Sequence, residues 1–173
     1  MQVEAGILEM DKAYFRVYLN TKKVAAPSGL PMEPVQTIVC SIQRDVDIYV
    51  AIGRGRMMAD ALGFDAVDRT RIEIVILELT RNLLAHAGGG TLTFEDVSHQ
   101  GRKGIAIEAS DHGPGIPDIA MAMSDGYSTT KTLGAGLPGV RRLMDEFTID
   151  STPGHGTRVR AIKWVPQRNR GRR

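Results

Sequence analysis

The runs Thr91-Leu92-Thr93-Phe94-Glu95-Asp96-Val97 and Gly104-Ile105-Ala106-Ile107-Glu108-Ala109-Ser110, with Asp111-His112-Gly113-Pro114-Gly115-Ile116-Pro117 directly after the second, decide the fold. Both runs are rich in β-branched and apolar residues, and only a polar turn containing Gly101 separates them. That pattern predicts two strands that are neighbours in sequence. A doubly wound parallel sheet needs a helix between consecutive strands. None fits here, so the chain reads as α+β.

Outward from this pair the grouping repeats. Upstream, Thr37 to Gln43 reads as a strand with Ile38, Cys40 and Ile42 on one face. Asp45 to Leu62 reads as a helix stopped by Gly63, with Gly53 and Gly55 as weak points. Asp65 or Asp68 can cap a second helix that runs to about Ala87 and ends at Gly88-Gly89-Gly90. Its apolar stripe, Ile72, Ile76, Leu79, Leu83 and Ala87, has helical spacing. Downstream the sequence predicts a short helix near Asp118 to Met123, a polar Gly/Thr-rich stretch and a helix over Leu137 to Phe147. Last comes a hairpin of Thr148 to Ser151 and Thr157 to Trp164 around Pro153-Gly154-His155-Gly156. The expected architecture is a two-layer sandwich, helices on one face of a mixed, mostly antiparallel sheet.

Near the N-terminus, Ala13 to Leu19 is strand-like and can pair with a second copy, giving a homodimer. Pro27, Pro31 and Pro34 make residues 25–34 a linker. The layout is therefore an extension and Pro-rich linker over 1–34, a main domain over 35–165, and a basic, disordered tail over 166–173. The 173 residues are 42% hydrophobic and 24% charged, which excludes wholesale disorder. Cys40 is the single cysteine, so no intrachain disulfide forms. No apolar run suits a membrane span and no secretory pattern opens the chain, so a soluble, cytoplasmic protein is expected. Lys and Arg total 22 against 20 Asp and Glu. Four of those cations are Arg168, Arg170, Arg172 and Arg173, which leaves the body slightly acidic. The tail reads as a solvated terminus rather than a nucleic-acid surface.

Four constellations carry chemistry. Glu78 and Asn82 lie one turn apart on the second helix, beside its apolar stripe and at the edge of the core. A carboxylate there can act as a general base, and an amide oxygen can hold a hard cation such as Mg²⁺. Asp111 ends a strand and opens a rigid Gly/Pro bend containing Gly113, Gly115 and Ile116. Its carboxylate suits an exocyclic amine, as on adenine, and repels the carbonyl that guanine places there. Gly134-Ala135-Gly136-Leu137-Pro138-Gly139 matches G-x-G-x-x-G, but no strand precedes it and the acidic residues that follow come too early for a dinucleotide fold. It reads instead as a glycine turn opening a helix, whose amides favour phosphate. No G-x-x-x-x-G-K-[ST] occurs. Gly154-His155-Gly156-Thr157 turns between the last strands. His86 and His112 read as packing or loop residues, and Met57, Met58, Met121 and Met123 as ordinary helix residues.

The order of these elements resembles the N, G1, G2 and G3 boxes of the GHKL superfamily, which groups gyrase, Hsp90, histidine kinases and MutL-type ATPases. The likeness covers roughly residues 36 to 165. Within it, Gly113 to Asp118, Asp125-Gly126-Tyr127-Ser128-Thr129, Gly134 to Gly139 and Arg142 to Phe147 are similar to the small serine/threonine kinases of bacterial partner-switching systems. The stressosome switch kinase and the anti-sigma-factor kinases are the nearest of these. The resemblance implies a Bergerat-type fold, Mg-ATP, and phosphorylation of a STAS-domain protein, with a PP2C-type phosphatase or a sigma factor as further partners. It makes Glu78 the base and Asn82 the Mg²⁺ ligand. Asp111 with Gly113, Gly115 and Ile116 takes the adenine side, supported by Thr157. Thr132, Leu133, Gly134, Ala135, Gly136 and Leu137 hold phosphates under a lid over 124–133, where Lys131 either reaches the terminal phosphate or stays solvated. Ala135 departs from the expected leucine, and residues 1–34 have no counterpart in the family's minimal domain. The rival reading is a binding regulator, an anti-sigma factor or phosphatase activator, that uses nucleotide only to choose partners. A sensor histidine kinase lacks room for phosphoacceptor helices in the proline-broken segment upstream.

Overall fold

The structure, a computed structural model, describes residues 36–124 and 136–167. The strand-like segment 13–19, the linker 25–34, and the expected phosphate-side residues Lys131, Thr132, Leu133, Gly134 and Ala135 lie outside the described residues.

The elements run β1 (Thr37–Ile42), α1 (Asp45–Leu62), α2 (Ala66–Ala87), β2 (Gly90–Asp96), β3 (Gly104–Ser110), α3 (Ile119–Ala122), α4 (Gly136–Leu143), β4 (Glu146–Thr152) and β5 (Gly156–Trp164). The five strands form one sheet in the order β1-β2-β3-β5-β4. Every pairing among the described residues is antiparallel, so the sheet expected to be mixed shows no parallel pair among them. Short turns join β2 to β3 and β4 to β5, and such turns can only return the chain antiparallel.

The second layer is α1, α2 and α4. The Asp65 carboxylate caps α2 by accepting the Asp68 N–H at 2.9 Å, which chooses between the two candidate caps. α1 and α2 end at Gly63 and Gly88, both left-handed. Ile72, Ile76, Leu79 and Leu83 of α2 are all buried, meeting Leu92, Phe94, Ile105, Ile107, Val159 and Ala161 of the sheet. Each such side chain contributes about 1.5–3 kcal/mol. Gly55 has its own packing reason: a Cβ there would run into the Ile76 side chain, so α1 crosses α2 and β2 closely only because Gly55 has none.

One helix is shorter than its pattern. Leu137 to Phe147 carries helical spacing, yet α4 stops at Leu143 and Phe147 lies in β4. The cause is distant in sequence. Asp145 N–H donates to Ile162 O at 2.9 Å, and the Asp145 carboxylate accepts from Trp164 N–H at 2.7 Å and Lys163 Nζ at 2.9 Å. Those β5 partners pull the chain out of the helix before Phe147. No helix among the described residues is long and apolar enough to cross a membrane.

Candidate functional site

β3 delivers Asp111 to one end of the sheet, beside the start of β5. Asp111 N–H donates to Thr157 O at 3.0 Å, and Thr157 N–H donates back to Asp111 Oδ1 at 3.2 Å. Gly113 N–H donates to the same oxygen at 2.8 Å. Oδ1 is thus used twice, while Oδ2 has no partner among the described residues. The carboxylate is fixed by one oxygen and offers the other.

The bend that follows is clamped to the β4–β5 hairpin. Gly154 N–H donates to Pro114 O at 2.8 Å. Ile116 N–H donates to Ser151 Oγ at 2.8 Å, and that hydroxyl stands 3.1 Å from Gly156 O and 2.8 Å from Thr157 Oγ1. Two glycines make this approach feasible. Gly115 (φ 72°) and Gly156 (φ 98°) take left-handed backbone, and a Cβ on either would strike a carbonyl, of Thr152 and of Asp111 respectively. At Gly113 a Cβ would come within 2.6 Å of Ala87 Cβ, so the bend also rests on the last residue of α2.

Between the C-terminal half of α2, this bend and the start of α4 opens a cleft of about 460 Å³. Its walls include Leu79, Leu83, Ala109, Val159, Ile116 and Leu137, and its polar groups include Asn82, Asp111 and Thr157. An apolar slot with a few convergent polar groups suits a planar base carrying one donor edge. Asp111 Oδ2 is the acceptor left for that edge.

Seven residues singled out from sequence share this cleft: Asn82, Asp111, Gly115, Ile116, Gly136, Leu137 and Thr157. Gly113 belongs to the bend but turns toward Ala87. Glu78 departs from its expected place. It is 2% exposed and absent from the cleft lining, so it sits inside the core rather than at its edge. α2 packs against both α1 and α4, which leaves little of its circumference open. Sequence reading missed Ser151, although pairing the expected hairpin strands sets it opposite Thr157. His86, read as a packing or loop residue, and Met121, read as an ordinary helix residue, both line the cleft, as does Pro117 of the bend.

A second cavity, of about 590 Å³, lies at the other end of the sheet around Lys163 and Trp164. Its carboxylates are already spent. Lys163 Nζ is 2.9 Å from Asp145 and 3.7 Å from Asp68, and Arg71 is 2.8 Å from Asp68. It holds none of the candidate catalytic or binding residues named from sequence, so the smaller cleft is the candidate site.

An antiparallel sheet backed by helices, with an aspartate-glycine bend and a helix-borne asparagine on one cleft, defines a nucleotide-binding ATPase domain. The chain belongs to the histidine kinase-, DNA gyrase B-, and HSP90-like ATPase family, whose profile matches residues 67–169. It is 52% identical over 124 residues to the serine/threonine-protein kinase RsbT of Bacillus subtilis (strain 168), a match covering 72% of this chain and 93% of that protein. It is 41% identical over 64 residues to the anti-sigma F factor of Thermoanaerobacter sp. (strain X514), covering 35% of this chain and 45% of that one. With the anti-sigma F factor of Pasteuria penetrans it shares 32% identity over 101 residues, 54% of this chain and 67% of the relative.

Proposed function

We propose that this protein is an ATP-dependent serine/threonine kinase of a partner-switching pathway, acting in the cytoplasm on a STAS-domain protein. The observation that carries the reading is the 52% identity across 93% of a serine/threonine-protein kinase. The cleft fits the nucleotide half of that activity: Asp111 Oδ2 has no other partner among the described residues, and the walls are apolar where a base would lie. Asn82 lines the cleft, and an asparagine amide oxygen is the kind of hard ligand Mg²⁺ takes. Bound with ATP, Mg²⁺ would neutralise phosphate charge.

In this reading Asp111 accepts from the exocyclic amine of adenine, Thr157 steadies the same edge, and Asn82 works at the phosphate end. Residues 132–137 bind on the phosphate side. The acceptor oxygen bonds to the terminal phosphorus as the bond to the bridging oxygen breaks, ADP leaves, and the hydroxyl proton passes to Glu78. Glu78 is one helical turn before Asn82 on α2. The domain that does this spans 35–165, with 1–34 and 166–173 as appendages.

The test is labelled Mg-ATP with STAS-domain proteins of the same genome, read as protein-bound phosphoserine or phosphothreonine. Wild type transfers label, and Glu78→Gln transfers about 10²–10⁴-fold more slowly while still binding ATP. Full activity of Glu78→Gln removes Glu78 from the mechanism. The anti-sigma F factor relatives favour a second reading, a nucleotide-dependent regulator that binds a sigma factor or a PP2C-type phosphatase. ATP binding by wild type with no transfer to any candidate would establish that reading instead.

A further inference from the structure

A row of polar side chains crosses three strands at the Asp111 end of the sheet. Thr157 of β5 stands directly opposite Ser151 of β4. On its other side it exchanges bonds with Asp111, at 3.0 and 3.2 Å. Thr157 shares its face with Val159, two residues on, and both line the cleft. Ser151 does not line it and stands behind Thr157. The Ser151 hydroxyl has one proton and two lone pairs. Three groups surround it: Ile116 N–H at 2.8 Å, Gly156 O at 3.1 Å and Thr157 Oγ1 at 2.8 Å. Ile116 N–H can only donate, and Gly156 O can only accept. One assignment satisfies all three contacts. Ser151 gives its proton to Gly156 O and takes protons from Ile116 N–H and the Thr157 hydroxyl. Were Ser151 to donate to Thr157 instead, its lone pair would face those of the Gly156 carbonyl at 3.1 Å, a repulsive contact.

We propose that Ser151 is a positioning residue that sets base specificity: it holds the Thr157 hydroxyl proton away from the cleft, so a ligand that reaches Thr157 Oγ1 meets lone pairs only. This deepens the nucleotide reading above and rests on it. Asp111 Oδ2 is an acceptor as well, so the two neighbours form an end wall of acceptors. An exocyclic amine has two N–H bonds, one for each. A carbonyl in the same place donates nothing and faces two acceptors. A freely rotating hydroxyl would tolerate either group, because it could turn its proton toward a carbonyl. Fixing that proton makes a tolerant group selective, and the selectivity comes from penalising the wrong base. Two of the three contacts that fix Ser151 are backbone groups, one in the bend and one in the β4–β5 hairpin. The orientation is therefore part of the fold and does not wait for ligand.

The test is calorimetric titration of the full chain with the Mg²⁺ salts of ATP and of inosine triphosphate, which puts a carbonyl where adenine has its amine. Circular dichroism checks folding. Wild type prefers ATP. Ser151→Ala frees the Thr157 proton and narrows that preference by about 3- to 10-fold, chiefly by binding inosine triphosphate better. Thr157→Val keeps the shape, removes the hydroxyl and narrows it too. Adding Ser151→Ala to Thr157→Val then changes the preference by less than about twofold, because no hydroxyl is left to fix. A serine that only braces the fold would weaken both nucleotides equally. That result overturns the proposal, as does a preference unchanged or widened in folded Ser151→Ala, or an undiminished Ser151→Ala effect in the Thr157→Val background. If Ser151→Ala does not fold, Thr157→Val decides alone: a preference that widens reveals a hydroxyl donating into the cleft, and that or no change overturns the proposal. Wild type that binds ATP without preferring it overturns the proposal alone. Wild type that binds neither nucleotide overturns the nucleotide reading and the proposal with it.

Discussion

Replacing Asp111 by asparagine tests the adenine assignment with the least disturbance, because only one oxygen changes. The wild-type carboxylate spends Oδ1 on the N–H groups of Gly113 and Thr157, at 2.8 and 3.2 Å. Asparagine keeps those bonds only by placing its carbonyl oxygen there. The flipped amide would aim its NH₂ at two donors. In the retained rotamer the NH₂ replaces Oδ2 and faces the cleft, donor against the donor edge of adenine. What is lost is a hydrogen bond to a charged acceptor, worth about 1.5–3 kcal/mol, or about 10- to 150-fold in affinity. Calorimetric titration with Mg-ATP reads it directly, with circular dichroism as the check on folding. The same swap suits the carbonyl of guanine, so the preference for ATP over GTP narrows by at least as much. ATP affinity within about twofold of wild type, in a folded variant, would refute the assignment.

Three further outcomes follow from the geometry. Gly115→Ala places a Cβ against the Thr152 carbonyl on left-handed backbone; at about 1–3 kcal/mol it lowers the melting midpoint by roughly 3–10 °C, and calorimetry showing no change would contradict the clamp. At the start of α1, the N–H groups of Gln43 and Arg44 hold the Asp47 carboxyl below its usual range, Gln43 most. Protonation is thus harder in the folded than in the unfolded chain, so this stabilisation is complete above the ordinary aspartate range and vanishes as pH falls through the lower folded value. Asp47→Asn should reduce the urea midpoint at neutral pH and leave it unchanged in strong acid; an equal loss at both pH values refutes this. Burial pushes the Cys40 thiol up against a smaller opposing effect of Arg54, so Ellman's reagent at pH 8 labels it more slowly than free cysteine, and urea abolishes the difference. Labelling at the free rate in native protein would be the contrary result.

The sequence was most legible where local chemistry sets the outcome. α1 runs from Asp45 to Leu62 as its stop glycine implied, and β3 occupies Gly104–Ser110 as its composition implied. The aspartate bend could be recognised because its glycines and prolines restrict the backbone whatever surrounds them. Legibility failed where distant partners decide. Helical spacing continues to Phe147, but Asp145 is claimed by Ile162, Lys163 and Trp164 of β5, and local pattern cannot weigh those bonds. Glu78 shows the same limit. Its helix angle put it beside the apolar stripe, but its depth depends on how α1 and α4 cover α2. Ser151 was within reach: its hydroxyl faces Thr157 across a hairpin whose strands had been expected, and the register alone would have named it.

The central claim is that nucleotide occupies the cleft between α2, the Asp111 bend and the β4–β5 hairpin. Hydrogen exchange of the full chain, with and without Mg-ATP, tests it most directly. The account predicts new protection across residues 109–117 and 151–157, with none gained at residues 102–104 or 163–167. Protection confined to the Lys163–Trp164 end, or none at the Asp111 bend under saturating ATP, would contradict it.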